Sequence, residues 1–296
     1  MKLNSTKTGI CYEVSGPVYE NPDNGIWCGT TVDAKEGPCF VKLICYDHIT
    51  DRMLRRNIRE QAADEARALR QAGQVTPQVP RLIDDWDDEA MQAYVIIMEQ
   101  LPGISLREWM DARPAENLTQ RDLFVRSRII FQVCSILQNI NRRYPALIHR
   151  DLKPENIMLK LDARNRWVVA LLDFGCTNLK YTRNVGTLDY RAPEQSDSRN
   201  LRARNTFKTD IYSIGILFYE MLLGRVPREG TDFLKKATST SWVQTPHLPQ
   251  TILDLPSGPA LENLLQKMTA YQMDDRPIYR DVMSQLERVK PEKKRE

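Results

Sequence analysis

The chain has 296 residues, 42% of them hydrophobic and 27% charged, with a formal net charge of +3; this is the make-up of a globular protein long enough for one bilobal unit or two modest domains. A charge this small, spread along the chain, gives no case for a nucleic-acid-binding surface, and no window approaches the about 18 successive apolar residues of a membrane span. Cys11, Cys28, Cys39, Cys45, Cys134 and Cys176 form no Cys-x-x-Cys pair and no zinc spacing, so reduced thiols and, with no apolar signal core after Met1, a cytoplasmic chain are expected.

Between residues 12 and 45 short apolar runs alternate with turn residues. Tyr12-Glu-Val14, Gly25-Ile-Trp-Cys-Gly-Thr-Thr-Val32 and Cys39-Phe-Val-Lys-Leu-Ile-Cys45 are separated by Asn21-Pro-Asp-Asn-Gly25 and Lys35-Glu-Gly-Pro38. The pattern predicts a three-stranded antiparallel meander. A helix is predicted from Thr50 to Ala72, with Thr50 as N-cap and Met53, Leu54, Ile58, Ala62, Ala66 and Leu69 at helical spacing. Strands are predicted over Val79–Trp86 and Ala93–Glu99, and Leu101-Pro-Gly103 marks a boundary. Beyond it, Leu123–Asn141 is apolar around much of its circumference and reads as a buried helix. Thr209–Leu223 reads likewise and is stopped by Gly224. The order is a small strand-rich unit, residues 1–102, then a larger helical unit, residues 103–289. Residues 290–296 form a basic tail, read as a solvated terminus or, alternatively, as a stretch flanking a membrane segment further on.

The chemistry concentrates in four segments: His149-Arg-Asp-Leu-Lys-Pro-Glu-Asn156, Asp173-Phe-Gly175, Gly186-Thr-Leu-Asp-Tyr-Arg-Ala-Pro-Glu194 and Asp210-Ile-Tyr-Ser-Ile-Gly215. In this order and spacing the chain resembles the eukaryotic-type (Hanks-type) serine/threonine protein kinase family, in a form with a bacterial look, from about Tyr12 to Glu287. The resemblance implies an α+β bilobal protein-kinase-like fold. Residues 1–102 form a small antiparallel β-rich N-lobe with one helix that binds nucleotide. Residues 103–289 form a larger, mainly α-helical C-lobe with catalytic loop, activation loop and substrate groove. It also implies transfer of the γ-phosphoryl group of ATP to serine or threonine hydroxyls of protein substrates, with Mg²⁺, or Mn²⁺ in its place, and autophosphorylation.

Such transfer needs two oxygens held in line and charge neutralised around the moving group. By resemblance, Asp151 accepts or orients the proton of the substrate hydroxyl, Lys153 neutralises the γ-phosphate, and Asn156 and Asp173 ligate the metal. Few hard oxygen ligands suit Mg²⁺. Lys42, ending Cys39-Phe-Val-Lys42, matches the family's third-strand lysine and grips the α- and β-phosphates. Its partner on the next helix is Glu65, in Glu65-Ala-Arg-Ala-Leu69, with Glu60 as runner-up. Met98 backs the nucleotide pocket, Glu99 and Leu101 offer backbone hydrogen bonds to adenine, and Met158 forms its floor. Leu69, Leu82, Phe174 and His149 stack as a column anchored by Asp210, and Glu194 pairs with Arg276. These residues are expected to meet in one cleft between the lobes. Lys153 and Thr187 point to serine/threonine acceptors. Thr182 and Tyr181, with Thr177 behind them, are candidates for a phosphate that Arg150 receives, the alternative being solvated loop hydroxyls; Cys176 reads as a plain buried thiol or, alternatively, as a redox or alkylation site.

The chain also departs from the family. Counting back from Lys42 places the glycine-rich loop at Glu20-Asn-Pro-Asp-Asn-Gly25, where Gly25 alone survives. Glu20 and Pro22 there predict weakened ATP affinity. Trp27 and Phe40 stand where the adenine ceiling has valine and alanine. A longer stretch before Asp173 predicts an extended hairpin turn over residues 161–166. Two alternatives follow: a pseudokinase or nucleotide-binding scaffold with little turnover, and a small-molecule phosphotransferase, which Ala192-Pro-Glu194 argues against. The sequence names no particular substrate and no oligomeric state.

Overall fold

The computed structural model describes residues 1–21, 26–33, 35, 37–174, 187–196, 206–227 and 247–291. They fall into two compact units, Met1–Pro102 with Asp173 and Phe174, and Gly103–Leu172 with the described residues from Thr187 onward.

The first unit begins with a hairpin, β1 (Lys2–Asn4) and β2 (Cys11–Glu13), followed by β3 (Ser15–Asn21), β4 (Ile26–Asp33), β5 (Gly37–Cys45), the helix α1 (Arg52–Val75), β6 (Leu82–Asp88) and β7 (Ala93–Glu99). The last five strands make an antiparallel sheet in the order β3-β4-β5-β7-β6. The meander is therefore β3 to β5. Tyr12-Glu-Val14, expected to open it, instead pairs back with residues 2–4. Strands as short as β1 carry too few alternating positions to stand out in a sequence. The cap of α1 is Asp51, not Thr50: its carboxylate accepts the Leu54 N–H at 2.9 Å, satisfying an orphan donor of the first turn.

Side chains alternate across a strand, and cross-strand neighbours share a face. Lys42 on β5 pairs with Cys28 on β4 and Ile96 on β7, and Phe40 pairs with Thr30 and Met98. These residues share one face of the sheet. The other face carries Cys39, Val41, Leu43, Trp86, Val95 and Ile97, all buried under Leu3, Tyr12 and Val14. The N-terminal hairpin thus covers apolar surface that the sheet would otherwise expose. Trp27, paired with Leu43, belongs to this covered side. Its ring lies over Gly29, where an ideal Cβ would sit 2.5 Å from a ring carbon.

The second unit contains β8 (Ile104–Ser105), α2 (Leu106–Asp111), α3 (Gln120–Arg143), β9 (Ile157–Leu161), β10 (Trp167–Leu171), α4 (Pro193–Ser196), α5 (Phe207–Leu223), α6 (Gln250–Leu253), α7 (Gly258–Met268) and α8 (Tyr279–Leu286). The three strands pair as β10-β9-β8, with the turn after Leu161 held by Asp162. Helix α5 is buried throughout Thr209–Leu222, as its all-round apolar sequence requires. It ends at Gly224, whose φ of 72° is open to glycine at little cost. Arg276 is buried and forms a bidentate pair with Glu194, 2.8 Å on each arm, and its remaining N–H groups reach backbone carbonyls. Gly103 opens the unit with φ 135°. An ideal Cβ there would lie 2.4 Å from the Leu159 carbonyl oxygen, so no side chain fits.

Candidate active site

In the first unit Lys42 is the centre. Its Nζ lies 2.6 Å from Glu65 Oε1 and 3.4 Å from Asp173 Oδ1. Glu60 turns to the exposed Arg56 instead. Burial alone would lower the Lys42 pKa, but the carboxylates of Asp173 and Glu65 outweigh it and hold the ammonium charged. Cys28 stands across from Lys42, and burial pushes its thiol up to about 11, so it stays protonated at neutral pH. Asp173 adopts φ 56°, a left-handed conformation that costs a non-glycine residue about 1–3 kcal/mol and recurs at functional sites.

Sequence counting put Trp27 in the adenine ceiling. The strand register overturns that: Trp27 faces the N-terminal hairpin, and Cys28 occupies the face that carries Lys42. Because side chains alternate with period two, an error of one residue exchanges the faces. Phe40 and Met98 do share the Lys42 face. At the end of β7, the Glu99 N–H donates to the Arg81 carbonyl and the Gln100 N–H to Pro38, and Leu101 follows, half-buried. Gly25 and Pro22, with Gly175, Cys176, Thr177, Tyr181, Thr182 and Gly186, lie outside the described residues.

In the second unit the octet from His149 to Asn156 is held by one carboxylate. Buried Asp210 accepts the backbone N–H of His149 at 2.9 Å and of Arg150 at 2.8 Å. The His149 ring meets the Leu172 carbonyl at 2.9 Å. Arg150 adopts φ 66°, and this turn presents Asp151. Asp151 Oδ1 accepts the Thr187 N–H at 2.6 Å and hydroxyl at 2.9 Å. Oδ2 meets Asn156 Nδ2 at 3.2 Å and Lys153 Nζ at 3.6 Å. Asn156 Nδ2 also donates to the Asp151 carbonyl. Its amide nitrogen is thereby committed, and its amide oxygen is the atom able to meet a cation. Met158 sits on β9 opposite Ser105 and Ala170.

One cluster was not read from the sequence. Arg107 on α2 donates to Glu155 at 2.9 Å, to Glu220 at 2.8 Å and to the Tyr190 hydroxyl at 3.1 Å. Tyr190 in turn donates to Glu220 at 2.6 Å. Burial would lower the Arg107 pKa, but the bonds to Glu155 and Glu220 raise it further. These partners stand far apart in sequence, so no local motif reveals them. Among the described residues no group of three or more His, Cys, Asp and Glu is placed to hold a metal. Mg²⁺ that keeps several water and phosphate ligands needs no such cage, and a carboxylate or an amide oxygen is each a donor of the hard kind it takes.

The family profile described as protein kinase domain matches residues 33–286. Relatives include serine/threonine-protein kinase Pkn1 of Myxococcus xanthus, 31% identical over 202 residues, or 66% of this chain and 27% of that protein. Serine/threonine-protein kinase PrkC of Bacillus subtilis (strain 168) is 27% identical over 242 residues, 78% of this chain and 33% of that protein. The chain thus spans about a quarter to a third of these two relatives' length. The crystal structure of the Mycobacterium tuberculosis PknI kinase domain, a double mutant, superposes with a TM-score of 0.64 at 18% identity. It covers 94% of this chain and 95% of that one, a likeness of fold. With the profile spanning most of its residues, the chain belongs to the protein kinase domain family.

Proposed function

We propose that this chain transfers the γ-phosphoryl group of ATP to serine and threonine hydroxyls of protein substrates in the cytoplasm, itself included. The observation that carries this reading is the Asp151 carboxylate, with one oxygen engaged by Thr187 and the other facing Asn156 and Lys153. A carboxylate fixed in this way is equipped to take a hydroxyl proton, and Lys153 brings positive charge to the same place. Lys42, kept cationic between Glu65 and Asp173, is suited to grip phosphates. Phe40, Met98 and Met158 surround the adenine in this reading, and the backbone of Glu99 and Leu101 bonds its edge. Asn156 and Asp173 would hold Mg²⁺, or Mn²⁺ in its place, which would neutralise charge on the transferring phosphates. Thr187 and Lys153 favour serine/threonine over tyrosine acceptors.

Incubation of the purified chain with γ-labelled ATP and Mg²⁺, followed by phosphoamino-acid analysis, tests this. Label on serine and threonine that disappears in Asp151→Asn is expected. No label, or label indifferent to Asp151→Asn, makes the protein a nucleotide-binding scaffold. Label on small molecules alone makes it a different phosphotransferase.

A further inference from the structure

The hairpin β1–β2 lies ahead of residues 33–286, the span that the family profile matches. It is fastened to β6 from both sides. On the covered face Tyr12 stacks on Trp86, ring centroids 6.1 Å apart. There the Thr8 hydroxyl donates to Asp84 Oδ2 at 2.7 Å and the Tyr12 hydroxyl does so at 3.3 Å. The register shift between Leu82 and Asp84 sets Asp84 opposite Ile97 and Asp85 opposite Ile96, on the face that carries Lys42. Lys7 reaches Asp85 around this edge strand, Nζ to Oδ1 at 2.8 Å.

Asp85 is also the anchor of α1. Arg70 Nη2 lies 2.5 Å from the same Oδ1, and the Tyr94 hydroxyl donates to Oδ2 at 2.7 Å. The Asp85 side chain is 10% exposed, while Lys7 and Arg70 are about half exposed. A shielded carboxylate must have its charge compensated, and here a hairpin cation and a helix cation share that task. Near its N-terminal end α1 is tied to the same strand by Arg59 and Asp87. Glu65 lies on the helix between the two anchors.

We propose that Lys7 is a positioning residue for phosphoryl transfer: by completing the Asp85 cluster it fixes the helix segment bearing Arg70, and through it the Glu65 carboxylate on Lys42. The proposal rests on the kinase reading for its kinetic consequence, but its structural core can be tested apart from it.

The test compares Lys7→Met, Lys7→Arg and Lys2→Met in the full chain. Lys2 pairs with Glu13 on the exposed side of the same hairpin and serves as control. Lys7→Met is expected to speed amide exchange over residues 62–72 of α1 while β5 and β7 keep their protection. The thermal midpoint is expected to move by less than about 3 °C. At saturating ATP and Mg²⁺, kcat on casein falls about tenfold, the size of coupling seen between contacting residues. Lys7→Arg restores both readouts and Lys2→Met changes neither. In a Glu65→Gln background Lys7→Met has no further effect on kcat. Unchanged α1 exchange in Lys7→Met overturns the proposal, as does an equal loss of kcat with or without Glu65. Absence of transfer by the unsubstituted chain sinks the kinase reading instead, and the exchange measurement then decides the role of Lys7 alone.

Discussion

The two oxygens of Asp151 are unlike. Oδ1 already holds two short bonds from Thr187, whereas the contacts of Oδ2 are 3.2 and 3.6 Å. The oxygen with fewer close donors is the better proton acceptor, so in the proposed reaction the substrate proton goes to Oδ2. Asp151→Asn removes that basicity while keeping an oxygen for Thr187. Transfer is expected to fall about 10²- to 10⁴-fold, the usual contribution of a positioned base, with an unchanged melting profile. Lys42→Met removes the cation between Glu65 and Asp173. Radiolabel transfer is expected to drop about 10²- to 10³-fold, as when a preorganised charge is lost, and an unchanged rate would take Lys42 out of the mechanism. At this scale the sequence was informative where the candidate residues sit in contiguous motifs. The octet and Asp173 stood out by their resemblance to family motifs, and so did Glu65, which is the glutamate that meets Lys42 while Glu60 turns to Arg56. Trp27 could not, because counting from a degenerate loop does not fix strand register.

At the scale of elements, side-chain clamps hold the pieces that carry those residues. Arg276 and Glu194 make a buried bidentate pair, and Arg276→Met leaves the Glu194 carboxylate without its partner. A loss of about 3–5 kcal/mol is expected in denaturant unfolding. Asp85 clamps α1 to β6. Burial tends to raise its pKa, but the bonds from Lys7 and Tyr94 and the charges of Lys7 and Arg70 prevail and hold it below the usual carboxylate range. A depressed folded-state pKa adds stability that is present above the unfolded value, near about pH 4, and is lost as pH falls through the folded value. Wild type should therefore exceed Asp85→Asn in denaturant midpoint at neutral pH, with the gap closing in acid. A gap independent of pH would mean that Asp85 acts by shape alone. These clamps join residues distant in the chain, so periodicity located the helices and strands but not what pins them.

For the molecule as a whole, the order of a strand-rich unit before a helical one was legible from apolar patterning. The hairpin at the N-terminus was not. Its two buried apolar side chains, Leu3 and Tyr12, gain meaning only from the sheet they cover. Tyr12→Ala should cost about 3–5 kcal/mol, as for other buried aromatics, and Tyr12→Phe about 1 kcal/mol for the hydroxyl. Thermal unfolding of the two variants measures both; equal losses would show that packing contributes nothing. Gly103 carries a different lesson. The space for a single carbon is missing there, because the Leu159 carbonyl fills it. A methyl group at that point has to push β8 off β9 or twist the chain leading into α2. Arg107 begins only just beyond, and its guanidinium joins Glu155 of the octet to Glu220 and Tyr190. The smallest enlargement of Gly103 would thus be passed through β8 into the first turn of α2 as a misplaced arginine, so a position with no chemistry of its own holds a veto over the geometry around Glu155.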